Sequence, residues 1–121
     1  LIILDDTYNS NPLGFKKALK TLKSYPKYQK IVVTPGMIEL GKKQFSLNKE
    51  VAKEAAAVAD ILVAVGETNK RALKTGAEEA KKKNLHIIYL KKDESLDEGL
   101  TAYLKPPTVI LLENELPDHY F

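Results

Sequence analysis

The chain has 121 residues, 44% hydrophobic and 29% charged, with no cysteine and a net charge of +3. That length suits one domain, and the balance is ordinary for a globular fold with a real core. Disulfides and thiol catalysis are excluded. No apolar stretch approaches bilayer length, so no membrane partner is expected, and without an exporting segment the expected compartment is the cytoplasm.

The chain opens inside the apolar run Leu1-Ile2-Ile3-Leu4, which reads as a buried strand. This start inside a strand predicts a single domain, residues 1–121, cut from a larger protein. The polar loop Asp5-Asp6-Thr7-Tyr8-Asn9-Ser10-Asn11-Pro12 follows. Asn11 before Pro12 marks a helix start, because Asn caps free backbone donors and proline suits the first helical position. Two carboxylates, a phenol and amides thus stand at a strand's carboxyl end, where open α/β sheets bind ligands. Asp and Asn are also common turn and cap residues, and the stretch alone favours neither reading.

A first helix is expected from Pro12 to about Ser24, with Phe15, Ala18, Leu19 and Leu22 as its apolar stripe. Ile31-Val32-Val33 is the second strand. It enters a loop, Thr34 to Gly41, in which Met37, Ile38 and Leu40 read as a small plug and Glu39 is the residue that a plug does not explain. A second helix, Gln44 to Val58, carries Leu47, Val51, Ala55 and Val58 at helical spacing. Ile61 to Val65 is a strand apolar on both faces, as a covered parallel strand should be. After Gly66, Thr68 is the candidate cap of a third helix from about Asn69 to Lys83, with Ala72, Leu73, Ala77 and Ala80 buried. His86 to Leu90 is the fourth strand. Ser95 and Glu98 have capping-box spacing and open a short helix to Leu104. Thr108 to Leu112 is the fifth strand, followed by the closing segment Glu113 to Phe121.

Strands and helices alternate with short connections, which predicts a three-layer α/β/α Rossmann-like domain with a mainly parallel sheet of about five strands. The loops after the first, second and fifth strands are the polar ones, and those after the third and fourth are plainer. The catalytic inventory is thin. His86 reads as a strand-end residue and His119 as part of an exposed tail, with no metal-ligand spacing between them, and no Walker phosphate loop is present. The helix lysines Lys16, Lys17, Lys20 and Lys23 have no aromatic platform or nucleic-acid motif beside them. A solvated face is the favoured reading, and no nucleic-acid partner is expected. The inventory describes a domain that binds without catalysing alone.

Asp5-Asp6-Thr7-Tyr8-Asn9-Ser10-Asn11-Pro12, followed by Gly36-Met37-Ile38-Glu39-Leu40-Gly41 and then Val65-Gly66-Glu67, resembles the C-terminal domain of Mur ligases over almost the whole chain. The nearest likeness is to the members that add D-alanyl-D-alanine. The resemblance implies a three-domain enzyme of peptidoglycan-precursor synthesis, in which ATP phosphorylates a peptide carboxylate and an amine attacks the acyl phosphate. It implies ATP and Mg²⁺ in the full-length enzyme, with the phosphate loop and the Mg²⁺ ligands in the N-terminal and central domains beyond this chain. The implied substrates are a UDP-MurNAc-peptide and an amino acid or dipeptide. Asp6, Tyr8, Asn9, Asn11, Glu39, Glu113 and Asn114 are the implied nucleotide- or substrate-binding residues; neither catalytic nor metal-ligating residues are expected in this domain. The resemblance also places the last strand between the first two, and an antiparallel strand upstream of Leu1.

Two departures bear on specificity. The glycine loop reads Thr34-Pro35-Gly36-Met37 and lacks the acid usual between glycine and methionine. The segment usually reading Lys-Gly-Ser-Arg is here Glu113-Asn114-Glu115-Leu116, so a preference for a substrate carboxylate is expected to reverse. The rival reading is a stand-alone ligand-binding or regulatory α/β module without ligase activity.

Overall fold

Five parallel strands form one sheet in the computed structural model, which describes residues 1–9 and 11–116. In chain order the elements are β1 (Ile2–Asp6), α1 (Pro12–Lys23), β2 (Gln29–Thr34), α2 (Gln44–Val58), β3 (Ile61–Val65), α3 (Lys70–Glu79), β4 (His86–Leu90), α4 (Leu96–Leu100) and β5 (Thr108–Glu113). The strand order is β1-β5-β2-β3-β4, and every pairing is parallel. This is the expected three-layer Rossmann-like arrangement, with the last strand inserted between the first two.

Handedness explains the layers. The crossovers from β1 to β2, β2 to β3 and β3 to β4 step the same way along the sheet, so right-handed connections put α1, α2 and α3 on one face. The step from β4 back to β5 reverses direction and places α4 on the other face. Because strand side chains alternate, each strand feeds both cores. Val32, Leu62, Val109 and Leu111 pack with Phe15, Leu19 and Leu22 of α1 and Val51, Ala55 and Ala56 of α2. Ile31, Val33, Val63, Ile110 and Leu112 pack with Leu96 and Leu100 of α4.

The alanines of α2 let α3 approach closely. A Cβ at Gly76 would overlap the backbone carbonyl of Lys49 and stand 2.8 Å from the Ala52 methyl. Charges remain at the rim of this layer, with Lys16 2.9 Å from Glu50 and Lys49 3.4 Å from Glu79.

Six sequence expectations are corrected. Strand β1 is an edge strand with alternate residues exposed rather than a buried one, and it runs through Asp6, so Asp5 and Asp6 belong to the sheet and not to the loop. Helix α3 stops at Glu79 rather than Lys83, because Lys81 turns left-handed (φ 50°) and the Lys82 ammonium donates to the Ala59 carbonyl across the domain. Thr68 is not its cap: Asn69 holds that position and makes no side-chain cap bond, its amide being used elsewhere. Strand β5 extends through Glu113, which makes that residue part of the sheet. In the plug, Met37 is buried but Ile38 is 51% exposed. The closing residues 117–121, including His119, lie outside the described residues. Among the described residues, no helix is long and apolar enough to cross a membrane.

Candidate functional site

Because β5 lies between β1 and β2, the carboxyl ends of these three strands sit side by side. The register pairs Asp6 with Glu113 and Leu112 with Val33. Asp5 and Asp6, the last two residues of β1, are divided by strand alternation. Asp5 is exposed, and its Oδ1 accepts from the Thr7 backbone N–H at 3.1 Å and the Thr7 hydroxyl at 2.7 Å. Those two donors, hydroxyl first, hold its carboxyl below the usual range. Asp6 is half-buried on the opposite face and points toward the layer of α1 and α2.

Asn9 ties the loop down. Its backbone N–H donates to the Asp6 carbonyl at 3.1 Å, and its Nδ2 donates to Asp6 Oδ2 at 3.0 Å. Its Oδ1 accepts from the Asn11 N–H at 3.3 Å, and its carbonyl accepts from Asn114 Nδ2 at 2.9 Å. The Oδ1 of Asn114 accepts from the Thr34 hydroxyl at 2.8 Å, and the Thr34 oxygen accepts from the Gly36 N–H at 2.9 Å. One run of hydrogen bonds, from Asp6 through Asn9, Asn114 and Thr34 to Gly36, thereby joins the three polar loops. Asn114 sits at φ 67°, a left-handed position that Asn tolerates better than most residues.

A second polar knot shapes the loop after β2. Asn48 Oδ1 accepts from the Met37 N–H at 2.7 Å, and the Met37 carbonyl accepts from Gln44, Asn48 and Asn69. Asn69 Nδ2 also donates to the Pro35 carbonyl at 3.0 Å. Asn48 and Asn69 are both buried, so these bonds satisfy amides that would otherwise be costly. Gly36 is required here on two counts: its φ is 81°, and a Cβ would come within 2.6 Å of Asn69 Nδ2 and 2.8 Å of Asn48 Oδ1.

Glu113 is the anomaly of this edge. Its side chain is fully buried on the α1 and α2 face, and neither carboxyl oxygen has a donor among the described residues. Burial first, and the adjoining Asp6 carboxyl second, push its pKa up to about 9. Both influences favour the protonated form of Glu113 at neutral pH. This moderates the acidity expected of the Glu113–Glu115 segment: Glu113 adds no charge there, whereas Glu115 is exposed.

Of the residues proposed from sequence, Asp6, Asn9, Glu113 and Asn114 come together. Tyr8 is on the same loop, 87% exposed and available to a ligand. Asn11 is spent as the α1 cap, accepting from the Gly14 N–H at 2.8 Å. Glu39 is exposed at φ 61° and takes no part in the bonded run. An open groove of about 420 Å³ runs beside this loop, lined by Leu4, Asp6, Tyr8, Lys17, Thr21 and Leu111 among others. Sequence reasoning missed Thr34, Gln44, Asn48, Asn69 and Gly14. Asn48 had left a signal, a lone amide on the apolar face beside Ala52 and Ala55.

The two edges of the sheet differ. His86 opens β4 at the amino edge and packs on Tyr103, with ring centroids 4.7 Å apart, away from the polar loops. Among the described residues no group of three or more acidic, His or Cys side chains is placed to hold a metal. The carboxyl edge offers amides, carboxyls and a phenol, side chains suited to hydrogen-bonding a ligand.

A search of curated proteins returned no match. The family model described as Mur ligase, glutamate ligase domain, matches residues 1–113, from the start of β1 to the end of β5. With that match over most of its length, the chain belongs to the Mur ligase family, as its C-terminal domain.

Proposed function

We propose that residues 1–121 form the closing domain of an ATP-dependent peptide ligase of peptidoglycan-precursor synthesis, MurF-like in its first loop. The observation that carries this reading is the bonded run from Asp6 to Gly36, which makes one surface of the loops after β1, β2 and β5. In this role Asp6, Tyr8 and Asn9 face the nucleotide, and the tips at Glu39 and Glu115 border the incoming amine. In the parent enzyme the peptide carboxylate attacks the γ-phosphorus of ATP, ADP leaves, and the amine displaces phosphate from the acyl phosphate. The domain contributes by orienting these partners and excluding water, which lowers the entropic part of the barrier.

The residues described do not fit a Mg²⁺ site of their own. They contain no three-ligand group, and Glu113 holds its proton beside Asp6. The ATP-bound cation is assigned to the proposed upstream domains.

The test is ADP release by the full-length parent chain, with UDP-MurNAc-peptides and a panel of amino acids and dipeptides. ADP formation that depends on both the peptide and one amine supports the reading. No ADP release with any pair, or a reading frame beginning immediately before Leu1, favours a stand-alone binding module. With Glu113 protonated, Glu115 is the exposed acid that would oppose the carboxylate of an incoming dipeptide.

A further inference from the structure

We propose that Glu113 is a positioning residue for the first loop, donating its own proton to the Asp6 carboxyl so that Asp6 is held between Glu113 and the Asn9 amide. Geometry carries the inference. The Glu113 side chain is fully buried, and among the described residues neither of its oxygens meets a donor. It stands opposite Asp6 in the parallel register, and both side chains project to the same face of the sheet. A buried carboxyl without a donor must be either an uncompensated charge, which is very costly, or a donor itself. Asp6 supplies the acceptor.

The charged groups on the surrounding elements do not offer Glu113 an alternative partner. On α1, Lys16 is committed to Glu50 at 2.9 Å and Glu54 at 3.9 Å, and Lys17 lines the exposed groove. On α2, Lys49 reaches Glu79 at 3.4 Å, and Lys53 is exposed. On β1, Asp5 is turned to the opposite face and bonded to Thr7. Glu115 beyond β5 and Glu39 beyond β2 are exposed. The raised affinity of Glu113 for its proton, caused by burial and then by Asp6, agrees with this arrangement.

The consequence reaches the loop through Asn9. Its Nδ2 bonds Asp6 Oδ2 at 3.0 Å and its carbonyl is bonded by Asn114, so a shift of Asp6 moves Asn9 and the exposed Tyr8 before it. Loss of the shared proton sets two carboxylates against each other and releases this arrangement. The idea rests on the ligase reading only for its effect on turnover; the loop geometry is tested without it.

The experiment is NMR of the 121-residue chain across pH 5 to 10, following the Glu113 carboxyl carbon and the Asn9 side-chain amide. In the wild type the Glu113 carbon is expected to titrate near pH 9, with the Asn9 amide still up to pH 8 and then shifting at the same midpoint. Glu113→Gln keeps a donor and is expected to hold the Asn9 signal at its neutral-pH position with the alkaline transition gone. Glu113→Leu fills the space without a donor and is expected to displace the Asn9 signal already at neutral pH. A Glu113 carbon titrating below about pH 6, or an Asn9 amide indifferent to that titration, overturns the proposal even where the leucine variant does not fold. Identical Asn9 signals in folded leucine and glutamine variants overturn it as well.

Discussion

Single side chains at the carboxyl edge each serve two bonds, so the cost of losing one is set by what it strands. Thr34 accepts from Gly36 and donates to Asn114, and both Thr34 and Asn114 are buried. Thr34→Val keeps the shape but leaves an acceptor and a backbone donor without partners, and is expected to lower stability by about 1–3 kcal/mol. Denaturant unfolding of the two proteins measures it. Glu113 gives a pH dependence of defined sign. Its pKa is near 4.5 when the chain is unfolded and about 9 when folded. Between those values the folded chain keeps a proton that the unfolded chain has released. The stability from this group is thus complete below about pH 4.5 and is lost as pH rises toward 9, by at most about 1.4 kcal/mol per pH unit. Glu113→Gln has no such proton, so its advantage over the wild type is expected to widen steadily from pH 5 to pH 9 in parallel unfolding curves.

Between elements, two glycines act through what their missing side chains make room for. In Gly76→Ala the new methyl meets the Lys49 backbone carbonyl, and helix backbone cannot yield as a side chain can. Forcing α2 and α3 apart is expected to cost about 1–3 kcal/mol, read as a lower unfolding midpoint. Gly14→Ala sets two effects against each other. Alanine favours α1 by about 1 kcal/mol over glycine, but its methyl would overlap the Asn9 side chain. The expected outcome is near-native stability with the Asn9 amide displaced in the NMR spectrum. Most elements were legible because apolar periodicity is local: α2, β3 and β4 end where their patterns predict, and Asn11 caps α1 as its place before Pro12 implies. What escaped depends on distant partners. The Lys81–Lys83 run looks helical until Lys82 finds the Ala59 carbonyl. Glu113 looks like a loop acid until β5 is laid beside β1. Asn69 looks like the first residue of a helix until its amide meets Pro35 and Met37. The insertion of β5 between β1 and β2 came from the family resemblance, since periodicity carries no strand order.

Across the whole molecule, the three loops share one edge because β5 is central, and their hydrogen bonds make them a single surface. A surface tied by hydrogen bonds suits the proposed role of closing over ligands held by others, because fewer loop residues are left to be ordered when it closes. Placing the catalytic groups and the phosphate loop outside this chain carries its own expectation: the 121-residue chain alone releases no ADP in the presence of ATP, UDP-MurNAc-peptide and amine. The most direct test of the closing role is the steady-state kinetics of the full-length ligase carrying Asp6→Ala or Asn9→Ala, with thermal unfolding followed in parallel. The expected result is a raised KM for ATP or a reduced kcat in both variants, with the unfolding midpoint close to wild type. Unchanged kcat and KM in both would contradict the assignment of this loop to the nucleotide.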